Sequence, residues 1–372
     1  MKVGIVTQPL STNYGGILQA YALQTVLKRM GHKVITFDSP RYVKINIFHL
    51  IKKICSKYIL NEDVSDFNEI RINLVNYFTR KHTQSFINKK ISRLIVRDFS
   101  KLSDNDYDII VVGSDQTWRP IFNPQIENSF LDFTKDWDVK RIAYAASFGT
   151  DDWEYSKEQT SACSKLIQRF NAVSVREDSG IYLCQQYLGY DNAKHVLDPT
   201  MLLEGKDYMK FTKKNHNKIP GSLLCYILDK TEKKDEIINS MLRQNNLKKF
   251  KVNSDVSNGK VKFRDRVQPP VEEWLQGFVD AEYVITDSFH GCVFSIIFNK
   301  PFWVIGNAGR GMARFTSLLK IFGLEDRMIT EVEDIANFNF SEPINWISVN
   351  KIKKEWQKKS MDYLIANLSL NK

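Results

Sequence analysis

The 372-residue chain is short of what stapled, fibrous or membrane-spanning proteins need. Its five cysteines, at 55, 163, 184, 225 and 292, lie too far apart for a CxxC pair or a metal-ligand spacing. An odd, scattered set argues against a disulfide framework and for a reducing compartment. Glycine and proline number 17 and 10, too few for a loop-rich scaffold. No apolar run approaches the roughly 18 residues that span a bilayer. The first residues, MKVGIVTQPL, offer one lysine and a short apolar stretch, which is not enough for a secretory signal. With 43% hydrophobic and 26% charged residues the chain is globular, and its length suggests two domains.

Positive charge is in excess. Lys and Arg number 53 against 43 Asp and Glu, a net +10 that points to an anionic partner: a phosphorylated substrate, a lipid surface or nucleic acid. Residues 41–100 hold 12 basic groups and 5 acids. Between 41 and 60, Arg41, Lys44, Lys52, Lys53 and Lys57 interleave with Ile47, Phe48, Leu50, Ile51 and Ile54. This reads either as a helix with one core face and a solvated lysine face, or as a basic amphipathic helix on an anionic membrane surface. A second lysine cluster falls at 351–359.

Continuous apolar runs at 2–7, 33–37, 108–113, 141–146, 173–175, 223–228, 250–253, 283–286 and 302–305 read as strands buried on both faces. Helical patterns fall between them, at 17–30, 67–77, 154–170, 179–187, 233–245, 271–279, 292–299 and 312–322, with a last one at 349–368. The alternation predicts an α/β protein with parallel sheets. It pauses in the polar, Lys/Asn-rich stretch 199–222, which ends in Pro-Gly. The expected division is 1–205, 206–345, and a helix in 346–372 that crosses back to the first domain.

Six stretches leave strand ends, where open α/β sheets bind ligands. Asn13-Tyr14-Gly15-Gly16 puts a glycine pair before a helix, as a close-approach turn for a ligand or a tight turn capped by Asn13. Ser114 and Asp115 follow an apolar strand, where Asp115 can orient a sugar hydroxyl, act as a base, or cap a helix. Ser147 ends the next strand among small residues, which fits packing as well as a ligand. Arg176 closes a buried strand and needs an anion, from Glu177, Asp178 or a ligand. In Thr286-Asp287-Ser288-Phe289-His290-Gly291 a histidine opens a helix at a strand end, and a histidine exchanges protons near neutral pH. Arg310 and Arg314, in a glycine-rich loop after the next strand, can clamp phosphate or form a mobile basic loop. The other histidines, at 32, 49, 82, 195 and 216, lie in loops or on lysine-rich faces.

In order and spacing, these motifs together with Val112-Gly113-Ser114-Asp115-Gln116-Thr117-Trp118, Ala145-Ala146-Ser147-Phe148-Gly149 and Leu197-Asp198-Pro199-Thr200 resemble the polysaccharide pyruvyl transferase family. The resemblance runs from about residue 4 to 325. It implies two Rossmann-like domains facing a cleft, as in GT-B glycosyltransferases. It also implies transfer of a pyruvyl group from phosphoenolpyruvate to two hydroxyls of a polysaccharide or lipid-linked sugar, giving a cyclic ketal. No metal or cofactor is implied. His290 matches the family's motif histidine and would be the catalytic acid/base. Arg176, Ser288, Gly291, Arg310 and Arg314 would bind the donor. Asn13, Tyr14, Gly15, Gly16, Ser114, Asp115 and Ser147 would form the acceptor side. Some family members carry an arginine two residues before the histidine. Ser288 stands there in this chain, so Arg310 or Arg314 would supply the charge. A cytoplasmic enzyme with a peripheral contact at the inner face of the membrane is the expected setting.

Two other readings are weighed against this one. A nucleotide-sugar glycosyltransferase shares the GT-B architecture, but no Glu-x7-Glu donor motif stands around 290–315. A nucleic-acid-binding protein would fit the charge, but no helix-turn-helix, RNP or zinc-finger spacing is present, so no nucleic-acid partner is expected.

Overall fold

The computed structural model describes residues 1–40, 75–213, 222–254, 262–306, 311–330, 339–340 and 342–368. The basic segment 41–60, Arg310, and all but the end of the helix expected at 67–77 lie outside them.

The apolar runs form two all-parallel sheets. The first contains β1 (Lys2–Val6), β2 (Lys33–Asp38), β3 (Arg93–Ile95), β4 (Ile109–Val112), β5 (Lys140–Ala146), β6 (Ala172–Val175) and β7 (Lys194–His195), in the order β3-β2-β1-β4-β5-β6-β7. The second contains β8 (Ser222–Tyr226), β9 (Lys248–Phe250), β10 (Tyr283–Thr286), β11 (Phe302–Ile305) and β12 (Met328–Ile329), in the order β12-β11-β10-β8-β9. The Ile-Ile-Val-Val of β4 is buried throughout, as a strand covered by helices on both faces requires. The fold is therefore α/β, with two Rossmann-like halves.

Strand order reverses between β1 and β4 in the first sheet and between β8 and β10 in the second. At such a switch point the flanking helices leave on opposite faces of the sheet and open a crevice beyond the carboxyl ends. The segments after β1, β4, β8 and β10 are thus the ones topology assigns to a ligand.

The helix Tyr14–Arg29 is buried along nearly all of its first three turns. It packs inside a single apolar cluster that joins Ile5 and Leu23 of the first half to Trp274, Phe278 and Phe294 of the second. The Tyr14 ring stacks on Trp274 at 5.3 Å, and its hydroxyl donates to the Pro269 carbonyl at 2.7 Å. The final helix, Trp346–Leu368, lies against the first half. There Ser360 Oγ accepts from the Leu197 N–H at 3.0 Å, and the Tyr363 hydroxyl donates to the Ala143 carbonyl at 3.0 Å.

Two helices begin three residues earlier than their apolar periodicity indicates, at Tyr14 rather than 17 and at Phe289 rather than 292. Gly15 and Gly16 consequently sit within a first turn, not in the turn before it, and Gly291 shares the first turn of its helix with His290. The helix Lys81–Lys90 and the short strands β3, β7 and β12 have no counterpart in the pattern analysis. Each is brief or lysine-rich.

Candidate active site

The two switch points face one another across a cleft of ≈ 630 Å³. From the first half come Asn13, Asp115 and Gln116, and from the second Lys230, Ser288, His290 and Arg314. A second cavity of ≈ 370 Å³ adjoins it on the first half, sharing Asn13, Asp115 and Gln116 and extending to Gln8, Ser11 and Phe122. Asp115 stands where the two meet, with a left-handed backbone (φ 71°) that a non-glycine residue adopts only under constraint. Its Oδ1 accepts from the Gln116 N–H at 2.9 Å and its Oδ2 from Asn13 Nδ2 at 3.2 Å. Asn13 is at the helix N-cap position, yet its side chain makes no cap bond and turns to Asp115 instead.

Behind the cleft lies a buried charge network. Arg176 Nη1 donates to Asp198 Oδ2 at 2.9 Å, and Ser114 Oγ donates to the same oxygen at 3.0 Å. Thr200 supplies its N–H and hydroxyl to Asp198 Oδ1. Glu177 and Asp115 stand 3.8 and 4.0 Å from Arg176. Burial alone would lower the Arg176 pKa, but Asp198, Glu177 and Asp115 raise it. Burial also works against the Asp198 carboxylate. The facing His290, Arg176 and Thr200 outweigh it and hold that group far below the usual carboxylate range. The Arg176 guanidinium lies 4.3 Å above the Phe289 ring, and that of Arg314 lies 5.7 Å from it. Burial, together with the nearby Arg176 charge, pushes Arg314 down to about 9. A cation so placed gains from an incoming anion.

His290 occupies the first turn of Phe289–Ile297, whose N-cap is Ser288. The imidazole Nε2 is 3.6 Å from Asp198 Oδ2, an ion-pair rather than a hydrogen-bond distance. Its Nδ1 side rests against Gly15. A Cβ at that glycine would come within 1.9 Å of Nδ1. The close approach that Gly15 permits is therefore to the chain's own histidine. Three residues before Arg314, Gly311 (φ +87°) meets the backbone of the other half, and a Cβ on it would fall 1.6 Å from the Gly149 carbonyl oxygen.

Ser288 lines the cleft while its Oγ accepts from the Gly291 N–H at 3.4 Å. Gly291 is packed against Thr286 and Gly16 against Asn13 and Asp115. Tyr14 is enclosed at the contact between the halves. Ser114 is buried on Asp198. Ser147 is buried too and donates to Glu177 Oε1 at 2.8 Å. Arg176 lies behind the cleft wall, with its side chain only 1% exposed. Among the described residues no three His, Cys, Asp or Glu side chains converge as a metal site.

Asp198 and Phe289 are central to this arrangement, although the motif reading assigned neither a role. A signal for Asp198 was present: a carboxylate closing the apolar run Val196-Leu197 needs a buried partner, by the same reasoning that singled out Arg176. Lys230 and Gln268 also line the cleft, from loops with no motif character.

Solved structures similar to this chain share its fold. A UDP-GlcNAc 2-epimerase from Methanocaldococcus jannaschii is 11% identical, with a TM-score of 0.53 over 98% of this chain and 100% of that one. A putative UDP-N-acetylglucosamine 2-epimerase from Listeria monocytogenes is 9% identical, with a TM-score of 0.51 over 100% and 97%. At such identity the likeness concerns architecture, the GT-B-like pairing of two Rossmann-like halves. Comparison with curated proteins gave no match. The family model for polysaccharide pyruvyl transferase matches residues 13–309, a span that contains every motif residue from Asn13 to His290. The chain belongs to the polysaccharide pyruvyl transferase family.

Proposed function

We propose that the cleft binds phosphoenolpyruvate and that the protein transfers its pyruvyl group to two hydroxyls of one sugar in a polysaccharide or its precursor, forming a cyclic ketal. The observation that carries this reading is the pairing of Arg314 and His290 on the cleft wall with the buried Asp198–Arg176 network behind them. Phosphoenolpyruvate is a small dianionic-to-trianionic ester, and a partly desolvated guanidinium beside a proton-exchanging imidazole suits it.

In the reaction the donor's methylene carbon takes a proton, which leaves positive charge on the adjacent carbon. A sugar hydroxyl attacks that carbon and loses its own proton. Phosphate departs with the C–O bond electrons, and the second hydroxyl closes the ring and releases the last proton. His290 is the assigned acid/base. Asp198 faces Nε2 and fixes the orientation of the ring, which lines the cleft. Arg314 is the assigned donor contact. Arg176, enclosed by three carboxylates, fixes Asp198 and the Phe289 ring instead of touching the donor. The adjoining ≈ 370 Å³ cavity, with amides, a hydroxyl and an aromatic ring, suits the acceptor sugar, and Asp115 would orient its hydroxyl. A phosphoenolpyruvate donor implies action in the cytoplasm.

The test is to incubate the purified protein with phosphoenolpyruvate and polysaccharide precursors from the source cells, following phosphate release and the ketal methyl signal by NMR. His290→Ala should lower turnover about 10²–10⁴-fold while remaining folded. Thermal protection by UDP-sugars but not by phosphoenolpyruvate would overturn the donor assignment.

A further inference from the structure

His195 lies outside the cleft lining. It lies on β7, paired through its backbone with Val175, the residue before Arg176. Its Nε2 is 3.0 Å from the Arg176 carbonyl oxygen, so this nitrogen carries the proton and donates. The same nitrogen is 3.4 Å from the Ser317 hydroxyl of the second half. Ser317 Oγ in turn accepts from the Asp178 N–H at 3.0 Å. Ser317 is one helical turn beyond Arg314 on the helix Ala313–Phe322, so the two lie on one face. A turn further on, Lys320 reaches the Asp178 carboxylate at 3.5 Å. From the other side, Trp356 of the final helix sets its ring edge-on to His195 at 5.0 Å. The segment 195–198 therefore touches three parts of the molecule: His195 meets the Arg314 helix, Leu197 the final helix, and Asp198 the Arg176–His290 network.

We propose that His195 is a positioning residue that fixes the spacing between the two guanidinium groups, Arg176 in one half and Arg314 in the other. They share the Phe289 ring. Their separation depends on how the Arg314 helix docks against residues 176–179. His195 and Ser317 are the polar bridge at that docking surface, tied on one side to the backbone of Arg176 itself. The ring works in its neutral form. Burial lowers its pKa, and Lys359 and Lys320 oppose a second proton while the Arg176 carbonyl and Asp178 favour one. The proposal rests on the anion-binding reading of the cleft given above.

The test is hydrogen exchange on the full-length protein at neutral pH, with phosphate affinity by calorimetry as a second readout. His195→Leu should speed exchange in both 176–188 and 313–322 and weaken inorganic phosphate binding about fivefold, the usual worth of one buried hydrogen bond. His195→Gln, which keeps a donor at the Nε2 position, should restore both. Ser317→Ala should match His195→Leu, and the double variant should be no worse than either, since they break one bridge. Unchanged exchange in a folded His195→Leu protein, or strictly additive effects, overturns the proposal. If the parent does not bind phosphate, the donor reading fails, and the exchange data still decide whether His195 couples the halves.

Discussion

Gly15→Ala probes the site with the smallest possible perturbation. Ordinary contact between a Cβ and a ring atom begins near 3.4 Å, and the new methyl would stand 1.9 Å from His290 Nδ1, 2.2 Å from Cγ and 2.6 Å from Cε1. The imidazole must retreat by about 1.5 Å, well beyond the displacement of about 1 Å that can cost a hundredfold in rate. Its retreat is limited on the other side by Asp198, 3.6 Å from Nε2. Local stability pulls the other way, because alanine favours a helix interior over glycine by up to about 1 kcal/mol. The expected outcome is a folded protein with its melting temperature nearly intact and kcat for phosphate release down about a hundredfold, or about 2.7 kcal/mol in barrier. Gly16→Ala is the control. Its methyl would lie 3.1 Å or more from its neighbours, so the effect should be far smaller. Parental turnover in a folded Gly15→Ala protein would refute the argument that this glycine exists to admit the histidine.

Arg176→Met would leave Asp198, Glu177 and Asp115 without their shared cation, a loss of about 3–5 kcal/mol measurable by urea denaturation. Parental stability with weakened phosphate binding would instead make Arg176 a ligand contact. The depressed Asp198 pKa contributes stability that is full above the ordinary carboxylate value near pH 3.9 and drains away as pH falls below it. Asp198→Asn should therefore be less stable at pH 7 and lose less on acidification. An unchanged acid slope would assign the loss to other carboxylates. Tyr14→Phe deletes the hydroxyl bond to Pro269 between the halves and should cost about 1 kcal/mol by thermal unfolding, with no loss meaning the bond adds nothing beyond solvation.

Both sheets were legible because their central strands are continuous apolar runs, a pattern that survives without knowledge of the partners. The edge strands were not. Arg93–Ile95 and Lys194–His195 carry charge and are only three and two residues long, so their identity comes from the neighbour they pair with. Gly15 and Gly16 suggested a turn before a helix, whereas both lie inside its first turn, where a Cβ at 15 would collide with His290. Chemistry was easier to see than contact. A histidine at a strand end and an arginine on a buried strand stand out in sequence, but only three dimensions reveal that Asp198, 22 residues beyond Arg176, receives one and faces the other. The position of His195 between the halves was equally invisible, since a histidine beside a lysine reads as surface.

The meeting of Gly311 with the Gly149 carbonyl gives the contact between the halves a property of its own. Two bare backbones touch there, so residue 311 joins the Tyr14–Trp274 stack and the His195–Ser317 contact in setting how closely the halves pack. Any side chain at 311 acts as a doorstop, wedged 1.6 Å from an oxygen that cannot yield without moving its strand's exit. A graded series from alanine to valine would wedge the halves apart by increasing amounts while leaving every side chain that lines the cleft unaltered. One residue would thus serve as a dial for the spacing between the halves.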